Sequence, residues 1–266
     1  MLTIKNVSKT FNIGTINEKK ALQNISLELK DGDFATIIGG NGAGKSTILN
    51  MVAGVYPIDC GYIHIDDNNI SLLPEFKRAK FIGRVFQDPM TGTASDMSIQ
   101  ENLAMAARRG KRRTLRWGIS KDEIKEYKEA TKRLGLGLEE RLSSKVGLLS
   151  GGQRQALTLL MTTLQKPKLL LLDEHTAALD PRTAKKVLEL TDEIINEQQL
   201  TALMVTHNMK DAITYGNRLI MMHEGNVILD VRDEEKKNLK VSDLLLMFEK
   251  AVGEELDNDT MLLSKD

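Results

Sequence analysis

The fold is decided by the stretch Phe34-Ala35-Thr36-Ile37-Ile38-Gly39-Gly40-Asn41-Gly42-Ala43-Gly44-Lys45-Ser46-Thr47. Its first part, residues 34–38, is a short apolar, β-branched run that predicts a buried parallel strand. Residues 39–47 fit the pattern GxxxxGK[ST], and residues 48–53 continue as an apolar-rich helix that Gly54 is placed to end. The order of strand, glycine turn and helix predicts a loop that binds the phosphates of a nucleoside triphosphate.

Each residue type in this loop suits phosphate chemistry. Glycines allow backbone angles that side chains forbid, so successive N–H groups can close around phosphate oxygens, and the helix N-terminus adds partial positive charge. Lys45 can reach the β- and γ-phosphates, and the Ser46 hydroxyl is suited to Mg²⁺. The candidate nucleotide-binding residues of the loop are Gly39, Asn41, Gly42, Ala43, Gly44, Lys45, Ser46 and Thr47.

A second strand carries carboxylates that suit hydrolysis. Residues 169–172 are an apolar run that ends in Asp173 and Glu174. Asp173 is placed to hold Mg²⁺, directly or through water. Because side chains alternate along a strand, Glu174 points differently and can orient an attacking water opposite the γ-phosphate. The alternative is a polar strand end, which the phosphate loop elsewhere in the chain disfavours.

A second glycine pair occurs in Leu149-Ser150-Gly151-Gly152-Gln153. Ser150 and Gln153 form an S-x-x-Q capping box, and apolar residues follow at helical spacing, which by itself predicts only a well-capped helix. The two glycines in its first turn also expose backbone N–H groups to an outside anion. Since the chain already has a complete phosphate loop, we expect Ser150, Gly151, Gly152 and Gln153 to reach a nucleotide held by a second copy.

Composition limits the function classes. The chain has 37 Lys and Arg residues and 37 Asp and Glu residues. Its net charge therefore favours binding to neither nucleic acid nor an anionic membrane. The single cysteine, Cys60, excludes an internal disulfide framework and is expected to pack rather than react. The sequence has no apolar stretch near membrane-spanning length and no N-terminal signal-peptide pattern of charged and then apolar residues. If the protein acts at a membrane, we therefore expect it to be a peripheral partner.

The organisation along the chain predicts an α/β core interrupted by a helical insertion. Strands are expected at residues 1–7, 25–29, 60–66, 81–86, 201–206, 218–222 and 227–230, and a helical segment at 182–198. Residues 89–150 are helical, polar and charged in character. One domain over residues 1–231 and a helical or flexible tail over 232–266 are expected, with no internal repeat.

In this order the motifs resemble the nucleotide-binding subunit of an ATP-binding cassette (ABC) transporter, over roughly residues 1–231. The resemblance implies a P-loop NTPase (RecA-like) core with an antiparallel β subdomain and the inserted α-helical subdomain. It implies that Glu174 is the catalytic base and that residues 149–153 are the ABC signature. It also assigns Gln87 to the Q-loop, which senses Mg²⁺, Asp180 to the D-loop, His207 to the switch histidine and Phe11 to adenine stacking.

Three of these residues, taken alone, would be weak indicators of function. A lone histidine after a strand is usually structural, Gln87 would be a polar strand end, and Phe11 a core or hairpin aromatic. Position in the motif order favours contact of His207 with the γ-phosphate, while neighbours of Phe11 could take its place. Departures from the family are His175, where proline is common, and Gly40, where proline is frequent. His175 puts the local loop geometry in doubt, and a ligand or catalytic role for it is a minor alternative.

The densest basic cluster is Arg108-Arg109-Gly110-Lys111-Arg112-Arg113 with Arg116 and Trp117. It is read either as a solvated face or as a contact with lipid head groups or an acidic permease loop. Nucleic-acid binding is disfavoured, because the cluster is short and lacks interleaved aromatics.

The resemblance therefore implies the ATP-hydrolysing subunit of a bacterial importer, at the cytoplasmic face of the membrane. It implies ATP and Mg²⁺ as cofactors, head-to-tail dimerisation with a second copy, a separate permease, and an extracellular solute-binding protein. Residues 91–99 and 173–180 resemble a subgroup associated with uptake of amino acids, including tryptophan and tyrosine. The alternatives are an exporter ATPase, a soluble ABC ATPase, or a scaffold that does not hydrolyse.

Overall fold

The computed structural model describes residues 1–111 and 118–252. Its strands are β1 (Leu2–Phe11), β2 (Lys19–Leu29), β3 (Phe34–Gly39), β4 (Cys60–Ile65), β5 (Asn68–Asn69), β6 (Ile82–Val85), β7 (Leu169–Asp173), β8 (Ala202–Val205), β9 (Arg218–His223) and β10 (Asn226–Arg232). Its helices are α1 (Lys45–Ala53), α2 (Glu75–Arg78), α3 (Ile99–Ala107), α4 (Lys121–Lys132), α5 (Gly151–Thr163), α6 (Pro181–Gln198), α7 (Met209–Thr214), α8 (Asp233–Lys237) and α9 (Val241–Val252).

The central sheet has the strand order β10-β9-β3-β8-β7-β6. All its strands are parallel except β10, which pairs antiparallel with β9. The register places Ile37 and Asp173 beside Val205. Because parallel strands end at one edge, the loops that follow β3, β7 and β8 meet there. This sheet confirms the predicted α/β P-loop NTPase core.

A second, antiparallel sheet has the order β2-β1-β4-β5 and confirms the predicted β subdomain. Its apolar face packs on α1, and Leu2, Ile4 and Ile63 share one buried cluster with Leu49 and Met51. The strands β1 and β2 are longer than the alternation pattern indicates. Irregular register, with left-handed backbone at Asn6 (φ 51) and Asn24 (φ 53), breaks the period of two on which that pattern depends.

The helical insertion is built from α3, α4 and α5. Capping boxes at Ser98 and Ser120 start the first two helices. The buried cluster of this lobe includes Ala156 and Leu157 of α5, so its packing continues past residue 150. Leu159, on another face of α5, packs with the central sheet. Helix α5 is therefore a wall shared by both lobes.

The basic cluster falls at the edge of this lobe. The Arg108 guanidinium pairs with Glu123 at 2.8 Å, and Arg109 donates to the carbonyl of Thr162 at 3.1 Å. Residues 112–117, which include Arg112, Arg113, Arg116 and Trp117 of the cluster, lie outside the described residues. These two arginines therefore have intramolecular partners and are not a bare cationic face.

The described part of the C-terminal tail packs on the central sheet. Leu244 and Phe248 of α9 are buried with Met221 and Val231. The buried ammonium of Lys236 donates to the carbonyl of Gly216 at 3.0 Å. In the chain as far as it is described, no helix combines the length and the apolar character needed to cross a membrane.

Candidate nucleotide site

The phosphate loop is held in place by strands on two sides. A Cβ atom on Gly39 would lie 2.1 Å from the Met222 carbonyl oxygen, and one on Gly44 would lie 2.7 Å from the Ala21 carbonyl oxygen. Both residues also have positive φ, at 150° and 102°. Glycine is required at these positions by close backbone approach as well as by backbone angle.

Lys45 is the first residue of α1, beneath this loop, and only 6% of its surface is exposed to solvent. Its ammonium donates to the carbonyl oxygens of Gly39 at 2.7 Å and Gly40 at 3.1 Å. No side chain caps α1, so the backbone donors of its first turn remain available to an anion. Ser46 is exposed in that turn, beside the half-buried Thr47. The loop therefore presents donors to the space where the sequence predicts phosphates.

Lys19 also lies over the loop, and the sequence did not single it out. Its Nζ atom is 2.9 Å from where a Cβ atom on Gly42 would be. The register of β1 and β2 pairs Lys19 with Phe11, the candidate adenine-stacking residue. Phe11 is half-buried and packs edge-on against Tyr56, with ring centroids 5.2 Å apart. The start of β2 thus adds a cation to the site.

Asp173 lies at the end of β7, on the face of the sheet that packs against α1. Its Oδ2 accepts from Arg84 Nη2 at 2.9 Å, and the same Nη2 donates to Asn50 Oδ1 at 2.8 Å. Burial raises the pKa of the Asp173 carboxyl above its usual value, and the guanidinium of Arg84 opposes that shift. Arg84 and Asn50 are further site residues that local motifs did not indicate.

Glu174 leaves the strand with a left-handed backbone at φ 44, although its N–H still donates to the Val205 carbonyl at 3.0 Å. This turn brings its Oε2 to 3.7 Å from Nδ1 of His207, which follows β8. The His207 ring holds the pKa of Glu174 below its usual value, and the carboxylate raises the pKa of His207. The structure thus brings these two candidate catalytic residues together as a pair whose pKa values shift in opposite directions.

His175 is not part of this group. Its side chain is buried, and Nε2 lies 3.1 Å from the hydroxyl of Thr191 on α6. Burial lowers the pKa of His175 to about 4, so the ring is neutral at physiological pH. These contacts give it a packing role and argue against the ligand or catalytic alternative.

Gln87 follows β6 and is exposed. The residue before it is tied to the helical lobe, since Gln155 Nε2 of α5 donates to the Phe86 carbonyl at 2.8 Å. The sequence did not identify Gln155 as a link to the Q-loop. The loop that carries Gln87 is therefore anchored to the helix that begins with the signature glycines.

The predicted capping box at the start of α5 is confirmed by two hydrogen bonds between Ser150 and Gln153, at 3.1 and 3.3 Å. Ser150 and Gly151 are exposed, whereas Gly152 is buried. In the neighbouring helix, Asp180 accepts from the Thr183 N–H at 3.1 Å and caps α6. The signature therefore presents Ser150 and Gly151 outward from the chain, while Leu149 and Gly152 are buried.

The oxygen donors fit a cation that arrives with nucleotide. Ser46, Gln87 and Asp173 offer a hydroxyl, an amide and one carboxylate, all ligand types that Mg²⁺ accepts. Within residues 1–111 and 118–252, no group of three or more His, Cys, Asp or Glu side chains could hold a metal ion. A site of this composition suits Mg²⁺ that is also bound by phosphates.

A parallel sheet with a phosphate loop and adjoining carboxylates, together with an inserted helical subdomain, defines a P-loop ATPase with two lobes. The ABC transporter family model matches residues 22–177, and the chain belongs to that family. It is accordingly an ABC transporter ATPase that binds and hydrolyses ATP, and proteins of this family act as dimers with membrane permeases.

Two curated relatives and one solved structure illustrate the similarity. The tyrosine transport ATP-binding protein of Clostridioides difficile (strain R20291) is 47% identical over 95% of this chain and 100% of its own length. The energy-coupling factor transporter ATP-binding protein EcfA2 of Clostridium acetobutylicum is 31% identical, covering 89% of this chain and 81% of the relative. The ATP-binding cassette MJ0796, solved as a post-hydrolysis dimer bound to ADP and Pi, matches with TM-score 0.74 and 29% identity, over 87% of this chain and 98% of that one.

Proposed function

We propose that this chain powers the uptake of an amino acid, tyrosine or a chemically similar one, through a separate permease. The observation that carries this proposal is the full-length similarity to a tyrosine transport ATP-binding protein. An ATPase subunit does not itself bind the cargo, so the substrate is inferred from the relative alone. An extracellular solute-binding protein and a position at the cytoplasmic face of the membrane belong to the same proposal.

For hydrolysis, the proposed catalytic residues are Glu174, His207 and Gln87. Glu174 orients and polarises the attacking water, because its carboxylate is ionised beside His207. His207 contacts the γ-phosphate and so distinguishes ATP from ADP. Phe11 stacks on adenine, and the loop of residues 39–47 holds the phosphates.

Mg²⁺ is the proposed cation, held by Ser46, Gln87 and Asp173. When bound, it would neutralise charge on the β- and γ-phosphates during phosphoryl transfer. The donor types support this assignment, since oxygen ligands and few carboxylates suit Mg²⁺ that shares phosphate oxygens. The chain's own part is to fix the carboxylate at the end of β7 and the hydroxyl in the first turn of α1.

The second copy is proposed to complete the site in a head-to-tail dimer. Ser150 and Gly151 are exposed at the start of α5, and Asp180 is exposed before α6. Helix starts of this kind bind anions through their backbone N–H groups. We therefore assign Ser150, Gly151, Gly152 and Gln153, with Asp180 nearby, to the nucleotide that the partner's phosphate loop holds.

The permease is proposed to dock in the groove between the lobes. This groove has a volume of about 400 Å³, and its lining includes Arg84, Phe86, Met105 and Met161. Its wall continues into the loop that bears Gln87, so an inserted permease segment would touch the residue that senses nucleotide. The exposed side chain of Phe76, at 75%, lies next in sequence to Glu75 of the groove lining and offers further apolar contact.

Uptake in a transport-deficient host tests the proposal. Cells that express this chain with its cognate permease should accumulate labelled tyrosine, and unlabelled aromatic amino acids should compete. Glu174→Gln should abolish uptake and reduce ATPase activity by about 10²–10⁴-fold, since it removes the general base. Active ATPase without accumulation of any aromatic amino acid would reject the substrate, while co-purification with an energy-coupling factor partner would favour the EcfA2-like alternative.

A further inference from the structure

Arg84 lies between the carboxylate of Asp173 and the helix that follows the phosphate loop. Its Nη2 atom donates to Asp173 Oδ2 at 2.9 Å and to Asn50 Oδ1 at 2.8 Å. None of the contacts assigned to ATP involves this arginine. Its place beside the proposed Mg²⁺ ligand therefore calls for a function of its own.

The register of the sheet builds this contact. Arg84 of β6 pairs in parallel with Leu171 of β7, so the two side chains point to the same face. Asp173 lies two residues beyond Leu171 and shares that face. Helix α1 packs on the same face, where Leu171 joins Ile48 and Leu49 in one buried cluster. The sheet thus directs Arg84 toward both Asp173 and Asn50.

The surroundings strengthen the pair. The side chains of Arg84 and Asp173 are 12% and 15% exposed, so water screens their attraction only weakly. The guanidinium also lies 4.7 Å from the centre of the Phe86 ring. Arg84 Nε is buried and has no hydrogen-bond partner among the described residues, so its contact with the carboxylate is made at the Nη2 end. Removal of either partner would leave a largely buried charge uncompensated.

We propose that Arg84 is a positioning residue for Asp173, which neutralises and orients the carboxylate in the nucleotide-free protein and competes there with divalent cations. This inference rests on the proposed assignment of Asp173 to Mg²⁺. Arg84 thereby makes cation binding conditional on nucleotide, because phosphate oxygens must supply the negative charge that the guanidinium offsets.

Relative magnitudes decide the sign of the effect. Removal of Arg84 frees the carboxylate to rotate, which opposes cation binding by the entropy of one short side chain. It also removes a positive charge a few ångström from the ion. At an effective dielectric constant of about 20, that charge repulsion is the larger effect. Loss of Arg84 should therefore tighten divalent-cation binding to the nucleotide-free protein.

The test uses Arg84→Met in the full chain without nucleotide. Titration with Mn²⁺, followed by electron paramagnetic resonance, and with Mg²⁺ by calorimetry should show binding at least about 10-fold tighter than in the wild type. In EDTA, the variant should melt about 5–10 °C lower, since a buried charge loses its partner. Arg232→Met is the matched control, because it removes an arginine beside Asp230 at the far edge of the sheet, 43% exposed.

Asp173→Asn separates this inference from the metal assignment. The melting loss from Arg84→Met should shrink in the Asp173→Asn background, because the charge that it exposes is absent. Cation affinity within about twofold of the wild type, with an equal melting loss in both backgrounds, would overturn the role of Arg84. If Asp173→Asn binds Mg²⁺·ATP as tightly as the wild type, Asp173 is not a Mg²⁺ ligand. The proposed competition between Arg84 and divalent cations would then be overturned as well. Arg84→Gln, neutral but able to hydrogen-bond, should show the same tighter cation binding if Arg84→Met does not fold.

Discussion

The methyl group of Thr183 occupies the place that a side chain at residue 152 would need. A Cβ atom on Gly152 would lie 2.1 Å from Thr183 Cγ2, and one on Gly151 would lie 3.3 Å from Leu179 Cδ2. Gly152 is in the first turn of α5 and Thr183 is in the first turn of α6. The second signature glycine is therefore required by packing within one copy of the chain, before any contact with a partner's nucleotide.

Gly152→Ala should destabilise the monomer by about 1–3 kcal/mol, because the added methyl overlaps Thr183. Thr183→Ser removes the overlapping Cγ2 and should restore most of this loss in the double variant. Urea denaturation of the isolated chain measures both effects. Gly151→Ala is the control and should change stability by less than about 0.5 kcal/mol, since its tight 3.3 Å contact is with the flexible end of Leu179, which can shift, and alanine favours helix. Full stability of Gly152→Ala would contradict the packing role.

Lys19→Ala should weaken binding of ATP and ADP by about 3–10-fold, the effect of one exposed charge-assisted contact. The reason is the position of its ammonium over the phosphate loop, 2.9 Å from the place of a Gly42 Cβ. Fluorescent-nucleotide titration at two salt concentrations measures the change. Lys20→Ala removes the next side chain, which points to the opposite face of β2, and should leave both affinities unchanged. Equal affinities for wild type and Lys19→Ala would remove Lys19 from the site.

The Glu174 and His207 pair should titrate as a unit. The pKa of His207 is raised, so its contribution to stability is complete below the unfolded value and is lost as pH rises through the folded pKa. The pKa of Glu174 is lowered, so its contribution is complete above its unfolded value and is lost as pH falls. The pair thus stabilises most between about pH 4.5 and 6.5. Glu174→Gln should bring the His207 pKa down in an NMR titration, and an unchanged value would show that the Glu174 carboxylate and the His207 ring do not interact.

His175 should lower the stability of the fold as pH falls, opposite to the contribution of His207. Burial lowers its pKa to about 4, so the unfolded chain binds the extra proton first as pH falls below about 6.5. Over that interval the folded state should lose about 3 kcal/mol of stability relative to the unfolded state, because the two pKa values differ by about 2.5 units. His175→Leu should flatten the acid side of the stability profile and leave Mg²⁺·ATP binding unchanged. Weaker nucleotide binding in this variant would return His175 to the functional site.

The parts of the site that are contiguous in sequence were predictable from it. The phosphate loop, the end of β7 and the capping box of Ser150 and Gln153 each depend on neighbours within one strand or one helical turn. The observed strands and helices agree with these local patterns. The roles assigned to Gln87, His207 and Phe11 remain predictions, although the central sheet does bring Glu174 and His207 together.

The remaining contacts depend on the order of strands and helices in space. Arg84 and Asp173 are separated by 89 positions and meet because β6 adjoins β7, which no local pattern reports. The close approach of Thr183 to Gly152 depends on how α5 and α6 pack against each other. No local pattern indicates Lys19, because the irregular register of β1 and β2 obscures where the second strand begins. His175, a departure from the family at a conspicuous position, was explained only by its enclosure against Thr191.

The turn between β9 and β10 limits where this chain can be engineered. Gly225 N–H donates to the Ala43 carbonyl at 3.1 Å, and its own carbonyl accepts from the Gln23 N–H at 2.9 Å. The turn thereby ties the phosphate loop to the antiparallel sheet through these two backbone hydrogen bonds, and the Gln23 side chain adds a third by donating to the Glu224 carbonyl at 2.9 Å. Glu224 is well exposed and looks like a convenient place for a fluorophore or an affinity tag. A single inserted residue there would shift three segments at once, so reporters belong elsewhere on the surface.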